Sequence, residues 1–210
     1  LVGAPMLMLN TGGHTSLIWS IIFTSDGRQL ISAGPDKVIR VWNWESGKTV
    51  RAIRGQSGVG LNGGIYSMSL SPNGRWRAVG GWCTGSNLER YAVRIFEAES
   101  GHLTTVLRGH TNTIFGLSFS PDSTRLISGG ADRAAIIWDA MGWKRLHRLE
   151  GHTNDIYAVG FTPDGRRAVT GAYDNTLRLW GVGDGGLITT MHGHKDKVRA
   201  LSVSPRDGLI

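Results

Sequence analysis

The sequence predicts an all-β fold built of repeated, four-stranded antiparallel units. One basis is the stretch Gly151 to Trp180, GHTNDIYAVGFTPDGRRAVTGAYDNTLRLW. There, short strand-like runs alternate with turns of Gly, Pro, Asp and Asn, the residues that supply turn geometry between period-2 segments. A second basis is recurrence, because the same pattern returns along the chain. A third is composition: 31 Gly against 6 Pro in 210 residues suit many tight turns rather than a Pro-rich linker.

The first strand of this template alternates through Tyr157, Val159 and Phe161, and the chain turns at Pro163-Asp164-Gly165. A second run holds Ala168-Val169, and after a turn at Asp174 a third closes on Leu177, Leu179 and Trp180. A fourth run follows each third one: Lys48 to Ile53, His102 to Leu107, Lys144 to Leu149 and Leu187 to Met191. Gly-His pairs open the units at His14, His110, His152 and His194, the last three 42 residues apart, a period that marks a propeller-type repeat. The inner spacings hold as well. Ser32, Asp36 and Trp42 follow His14 at offsets of 18, 22 and 28; Ser128, Asp132 and Trp138 follow His110, and Thr170, Asp174 and Trp180 follow His152, at the same offsets.

The expected division of residues 1–210 is an orphan outer strand at 6–9, blades at 13–54, 55–108, 109–150 and 151–192, and the start of a fifth at 193–210. Val198 to Val203 would be the first strand of that fifth unit. The array is thus expected to be incomplete, about four full blades plus one orphan strand at each end. The second unit departs from the pattern: Gln56 replaces the His, Val79 the Ser/Thr and Phe96 the Trp, with insertions near 57–63 and 82–90.

Hydrophobic residues at 40% and charged residues at 19% give a globular balance with no disorder signature. The net charge of +7 comes from 18 Arg and 5 Lys against 16 acidic residues. Arg28, Arg75, Arg125 and Arg166 recur in one turn of successive units, a solvated rim rather than a binding stripe, so nucleic acid is the disfavoured partner. No apolar run is long enough to cross a bilayer as a helix, and no membrane role is expected. The lone Cys83 removes any intrachain disulfide and points to a reducing, cytoplasmic setting. The chain opens on Leu1 with no signal-like segment, which suggests a longer parent chain.

These residues resemble the WD40 repeat family, whose repeats run from Gly-His to Trp-Asp at this period. Trp138-Asp139 matches literally; Trp42-Asn43 and Trp180-Gly181 vary the second residue. The resemblance covers essentially the whole chain and implies a β-propeller of blades packed face to face. Closed propellers of the family commonly have seven blades, so it also implies further blades and, in some members, an attached enzyme domain.

The His, Ser/Thr and Asp sets invite a catalytic-triad reading. Against it, triads are not repeated three times in one chain. By resemblance, the His, the Ser/Thr and the Trp indole form a hydrogen-bonded brace while the Asp fixes a turn. The brace residues are His14, Ser32, Asp36 and Trp42; His110, Ser128, Asp132 and Trp138; His152, Thr170, Asp174 and Trp180. His192 and His194 form a lone His-x-His without a matching Cys or carboxylate cluster, and no metal, cofactor or catalytic site is expected.

One pattern points to binding. Each first strand opens on an apolar residue and then an aromatic: Ile18-Trp19, Ile65-Tyr66, Ile114-Phe115 and Ile156-Tyr157, with Val198-Arg199 in the fifth unit. In a propeller these positions lie near the upper mouth of the central channel, bordered by Asp155, Lys197 and Tyr173. Aromatics and Arg dominate interface energetics, yet the same residues could simply fill the space between blades. Both readings stand at this stage. The insertion beginning at Trp82 is a second candidate, because partner specificity often resides in loop insertions.

The expected function is a non-catalytic scaffold that binds a protein or peptide through its upper face and rim. The alternative is a regulatory or sensor module attached to an enzyme domain; nucleic-acid binding through basic charge ranks below both. An open array exposes unpaired edges, so the isolated segment is expected to aggregate.

Overall fold

The computed structural model describes residues 13–24, 26–54, 63–82 and 91–204, all of them in strands, turns or irregular backbone, without helix. Among the described residues sixteen strands form four antiparallel sheets, each a meander in chain order. The first holds β1 (Ser20–Phe23), β2 (Gln29–Ala33), β3 (Val38–Asn43) and β4 (Lys48–Arg54). The second holds β5 (Gly64–Leu70), β6 (Trp76–Trp82), β7 (Val93–Glu97) and β8 (Leu103–Leu107). The third holds β9 (Ile114–Phe119), β10 (Arg125–Gly130), β11 (Ala134–Asp139) and β12 (Arg145–Glu150). The fourth holds β13 (Ile156–Phe161), β14 (Arg167–Ala172), β15 (Leu177–Gly181) and β16 (Leu187–Met191).

The tight turns explain the meander. In the third sheet the Ser120 hydroxyl donates to Asp122 at 2.6 Å and accepts the Arg125 N–H at 2.8 Å, which closes the hairpin between β9 and β10. Thr162 and Asp164 repeat this in the fourth sheet. Such local bonds occupy backbone groups that have no ladder partner in the turn.

The sheets stack face to face with an apolar layer at each joint. Ile31, Ala33, Ile39 and Val41 meet Ile65, Met68 and Val79. Ala78, Val93 and Ile95 meet Ile114, Leu117, Leu126 and Trp138. Ile127, Ala135 and Ile137 meet Ile156, Phe161 and Trp180. Burying a large apolar side chain stabilises by roughly 1.5–3 kcal/mol, so these layers dominate the favourable energy. The first strands line up side by side: β9 lies between β5 and β13, and β1 packs beside β5. Four blades are therefore arranged as in a β-propeller, in an array that is open among the described residues.

Two expectations need correction. Residues 198–203 form no strand, because none among the described residues supplies a neighbouring ladder. The segment instead docks on the fourth sheet, with the Val198 N–H on the Ala172 carbonyl at 3.1 Å and the Val198 side chain buried. Arg125 is not part of an exposed rim like Arg28, Arg75 and Arg166; it opens β10 and pairs with Asp139 at 2.8 Å. The expected strand at 6–9, Gln56 and most of both insertions lie outside the described residues.

Candidate functional site

The three repeated polar sets assemble at equivalent places. In the first sheet the Trp42 indole N–H donates to Ser32 Oγ at 2.7 Å, and Ser32 Oγ lies 2.6 Å from His14 Nε2. His14 Nδ1 is 2.7 Å from Asp36. In the third sheet the distances for Trp138–Ser128, Ser128–His110 and His110–Asp132 are 2.8, 2.8 and 2.9 Å. In the fourth, Trp180–Thr170, Thr170–His152 and His152–Asp174 are 2.9, 2.7 and 2.8 Å. Only one proton arrangement satisfies this chain: the indole donates to the hydroxyl, the hydroxyl to Nε2, and Nδ1–H to the carboxylate.

The ionisation states fit that arrangement. Burial pushes the His152 imidazole below its ordinary value, against the pull of Asp174, so it is held neutral. Burial works against ionisation of Asp174, but donors from Thr176, His152 and the Thr153 N–H outweigh it and bring its pKa down to about 2. Asp132 is lowered in the same way, burial being overcome by His110, the Thr111 N–H and Arg148. Ser128 and Thr170 are completely buried, with their hydroxyls bonded to both indole and imidazole. An oxygen so enclosed cannot reach a substrate carbonyl, so the sets have triad distances without triad access.

The second sheet lacks these groups. Val79 stands opposite Met68, at the register where Ser32 faces Ile21, Ser128 faces Leu117 and Thr170 faces Val159. Phe96 occupies the place of the Trp. Hydroxyl and indole have been replaced together, so neither is left behind without the other.

At the end of the sheets that carries the His loops, the aromatics form a continuous row. Trp19 meets Tyr66 edge to face at 4.4 Å, and Tyr66 meets Phe115 edge to face at 5.7 Å. Phe115 stacks on Tyr157 at 4.2 Å, and Tyr157 on Tyr173 at 4.0 Å, both pairs 8° from parallel. The outer face of Tyr173 is covered by Lys197 Nζ at 4.7 Å and Arg199 Cζ at 5.7 Å. Edge-to-face and stacked pairs each add about 0.5–1.5 kcal/mol beyond area burial, so the row has a defined geometry.

Local structure aims these rings. In β5, β9 and β13 the register slips by one residue at Tyr66, Phe115 and Tyr157, so each is the extra residue of a β-bulge, a device that redirects a side chain. Gly116 lets β9 approach β13 closely: a Cβ there would sit 3.0 Å from the Tyr157 carbonyl oxygen. Tyr173 is held in its turn by an N–H bond to the Asp155 carbonyl at 2.9 Å. With Val198 buried, Lys197 and Arg199 flank it on the exposed side. Burial first, then the hydrogen bond with Tyr173, keeps the Tyr157 hydroxyl protonated far above its ordinary value. Beneath the row a cavity of about 180 Å³ is lined by Phe115, Tyr157, Val159, Arg199 and Leu201 among others.

Sequence reasoning named every member of the row but missed the bulges and the continuity of the stack, for which the spacing of the aromatics gave no signal. Trp82 ends β6, and the insertion after it lies outside the described residues. Among the described residues no cluster of His, Cys, Asp or Glu could hold a metal ion, and no helix is long and apolar enough to cross a membrane.

Comparison with known proteins agrees with this architecture. The family model described as "WD domain, G-beta repeat" matches residues 6–43, 101–139 and 143–181, more than half of the chain. Meiotic recombination protein rec14 of Schizosaccharomyces pombe is 30% identical over 132 residues, 63% of this chain and 40% of that protein. Human pre-mRNA-processing factor 17 is 29% identical over 139 residues, 62% of this chain and 21% of that protein. Rat apoptotic protease-activating factor 1 is 30% identical over 137 residues, 65% of this chain and 10% of that protein. The chain thus spans well under half the length of these relatives. The solved structure titled "Structure of U3-55K" superposes with a TM-score of 0.76 at 25% identity, over 89% of this chain and 55% of that one. With its repeats matched by the family model and its sheets superposed on that structure, the chain belongs to the WD40 repeat family.

Proposed function

We propose that this protein is a non-catalytic scaffold that holds a protein or peptide partner across the aromatic row at the upper end of its sheets. The carrying observation is the row from Trp19 to Tyr173, capped by Lys197 and Arg199. Five rings, three of them on bulges of adjacent strands, and two flanking cations give a half-exposed surface whose side chains lose little further entropy on binding. The cationic end suits an acidic residue of the partner, with apolar residues along the rings.

The same geometry disfavours single-stranded nucleic acid despite the net charge of +7. Recognition of that kind needs free ring faces for bases, and in the Phe115–Tyr157–Tyr173 stack the inner faces are taken by rings and the outer face of Tyr173 by Lys197 and Arg199. A second reading, a regulatory module within a longer enzyme-bearing chain, draws support from the small share of its relatives that this chain spans. The two are compatible. A reducing compartment is part of the proposal, on the strength of the single Cys.

The test is selection from a displayed library of random peptides on the intact protein, repeated with Tyr157→Ala and Tyr173→Ala. The expected result is an enriched consensus combining acidic and apolar positions, lost in both variants while their fold persists by circular dichroism. A consensus retained by both variants would remove the row from the site.

A further inference from the structure

The second sheet carries an arginine where its neighbours carry aliphatic core residues. Arg77 pairs with Phe96 at the register where Leu30 pairs with Trp42, Leu126 with Trp138 and Ala168 with Trp180. Leu126 and Ala168 are fully buried, and Arg77 is itself only 4% exposed. A cation therefore occupies a core position, opposite a ring smaller than the indole of the other sheets. Beside it, between the first and second sheets, opens a cavity of about 250 Å³ whose wall includes Arg77, Ile31, Leu70, Gln29, Asp26 and Glu99.

The guanidinium in this wall is incompletely satisfied. One Nη donates to the Ala98 carbonyl at 3.2 Å, whereas the buried Nε–H has no partner. Among the described residues Arg77 is in no ion pair. Arg51, anchored on the Glu99 and Ser100 carbonyls at 2.9 and 2.8 Å, adds a second positive charge nearby. A desolvated, unpaired guanidinium is expensive, and a planar carboxylate presented to its edge is the group that completes it.

We propose that this cavity binds a carboxylate carried on a short aliphatic stem, such as a glutamate side chain of a partner, with Arg77 as the anion receptor. Ile31 and Leu70 supply the apolar wall for the stem. A single negative charge matches the one guanidinium in the wall, which is in no ion pair among the described residues. A phosphate dianion would meet the repulsion of Asp26 and Glu99 without a second free cation, because the Arg51 guanidinium is already engaged. The cavity opens among the turns that join first to second and third to fourth strands, the end opposite the aromatic row. The inference is therefore independent of the scaffold surface proposed above, and failure of either leaves the other standing.

The experiment is a nuclear magnetic resonance titration of the isotope-labelled, intact protein, following the Arg77 Nε–H signal. The probes are N-acetyl-glutamate α-amide, its neutral glutamine counterpart and inorganic phosphate. The expected result is a saturable shift with the glutamate probe, none with the glutamine probe, and weaker binding of phosphate. Arg77→Leu restores the residue type of the first and third sheets, should fold, and should bind the glutamate probe at least about tenfold more weakly by perturbation of backbone signals around the cavity. Arg77→Lys keeps the charge but not the planar fork and should also bind more weakly. Absence of saturation in the natural protein, affinity of Arg77→Leu within about twofold of it, or phosphate binding as tightly as glutamate would each overturn the proposal.

Discussion

Trp143 packs edge-on against Trp76 across the joint between the second and third sheets, with ring centroids 5.5 Å apart and planes at 85°. Arg75 lies over the Trp76 ring at 4.6 Å. Trp143 occupies the turn position held by Gly47, Gly101 and Gly185 in the other sheets, and like them it has positive φ, 54° against 66°, 76° and 71°. The reason lies on the facing strand. At the first joint Arg51 bonds the carbonyls of the Gly101 turn, and at the third His147 bonds the Gly183 carbonyl at 3.1 Å. A Cβ at Gly101 or Gly185 would press on those side chains, to 3.0 and 2.8 Å. At the middle joint the same register holds the short Thr105, and an indole fills the space instead.

The two solutions should therefore be exchangeable only as pairs. Trp143→Gly relieves left-handed strain of about 1 kcal/mol but loses the ring contact and its burial, for a net destabilisation of about 1–2 kcal/mol. Adding Thr105→Arg should recover part of that loss, while Thr105→Arg alone should destabilise by crowding the indole. Denaturant midpoints of the three variants check this. A Trp143→Gly protein at least as stable as the natural one would refute the account.

The buried hydroxyl of the brace is the next test. Thr170→Val keeps the shape but leaves the Trp180 indole N–H without an acceptor and His152 Nε2 without a donor. Two groups orphaned in a buried site should cost roughly 2–4 kcal/mol. Thr170→Ser, which keeps the hydroxyl as Ser32 and Ser128 do, should cost only about 1 kcal/mol for the lost methyl. Equal stability of the Val and Ser variants would mean that the hydrogen bonds contribute nothing net. The second sheet, with Val79 and Phe96 together, shows that the pair can be removed when both partners change.

Acid should unfold the protein in two stages. His152 is held below its ordinary value of 6.5, so the unfolded chain binds this proton more readily and stability falls as the pH drops below about 6.5. Asp174 moves from 3.8 to about 2, so its contribution is complete above about pH 4 and is lost as the pH falls toward 2. The second stage is of order 2 kcal/mol for that residue. Asp174→Asn should flatten the curve between about pH 4 and 2 while leaving the shallower loss below 6.5. A natural protein whose stability is constant from pH 7 to 2 would contradict both assignments.

Much of the frame was legible because it repeats. Offsets of 18, 22 and 28 residues from each His located the groups that bond between two strands and the loops beside them, since a fixed hairpin register places fixed spacings opposite one another. Val79 and Phe96 could be recognised as departures for the same reason. The aromatics at positions 19, 66, 115 and 157 were visible as a set, but their row was not, because stacking depends on bulges and on contacts between strands of different sheets. Arg77 was illegible: one arginine among 18 gives no sign that its register belongs to the core. Residues 198–203 misled for a related reason, since an apolar alternation becomes a strand only where a neighbour supplies hydrogen bonds. Trp143 could have been found, because it interrupts a glycine five residues after each closing aromatic.

The ring row depends most on a residue without a side chain. Gly116 brings β9 against β13, and an added methyl group would meet the Tyr157 carbonyl oxygen at 3.0 Å and Val159 Cγ2 at 3.1 Å. The carbonyl belongs to the bulge that aims the Tyr157 ring, so relief requires the two strands to separate by a few tenths of an ångström. Overpacking of this kind costs about 1–3 kcal/mol. The Phe115–Tyr157 contact at 4.2 Å should loosen with it, and the Tyr157–Tyr173 stack should shift against Lys197 and Arg199. Gly116→Ala is therefore expected to lower stability by that amount, to weaken the near-ultraviolet circular dichroism of the coupled rings, and to reduce affinity for any peptide selected on the row. Gly183→Ala, where an added Cβ meets nothing within 4 Å, is the matched control and should change stability by less than about 0.5 kcal/mol. If Gly116→Ala keeps the ring spectrum and peptide affinity of the natural protein, the close approach of β9 and β13 is not what holds the row together.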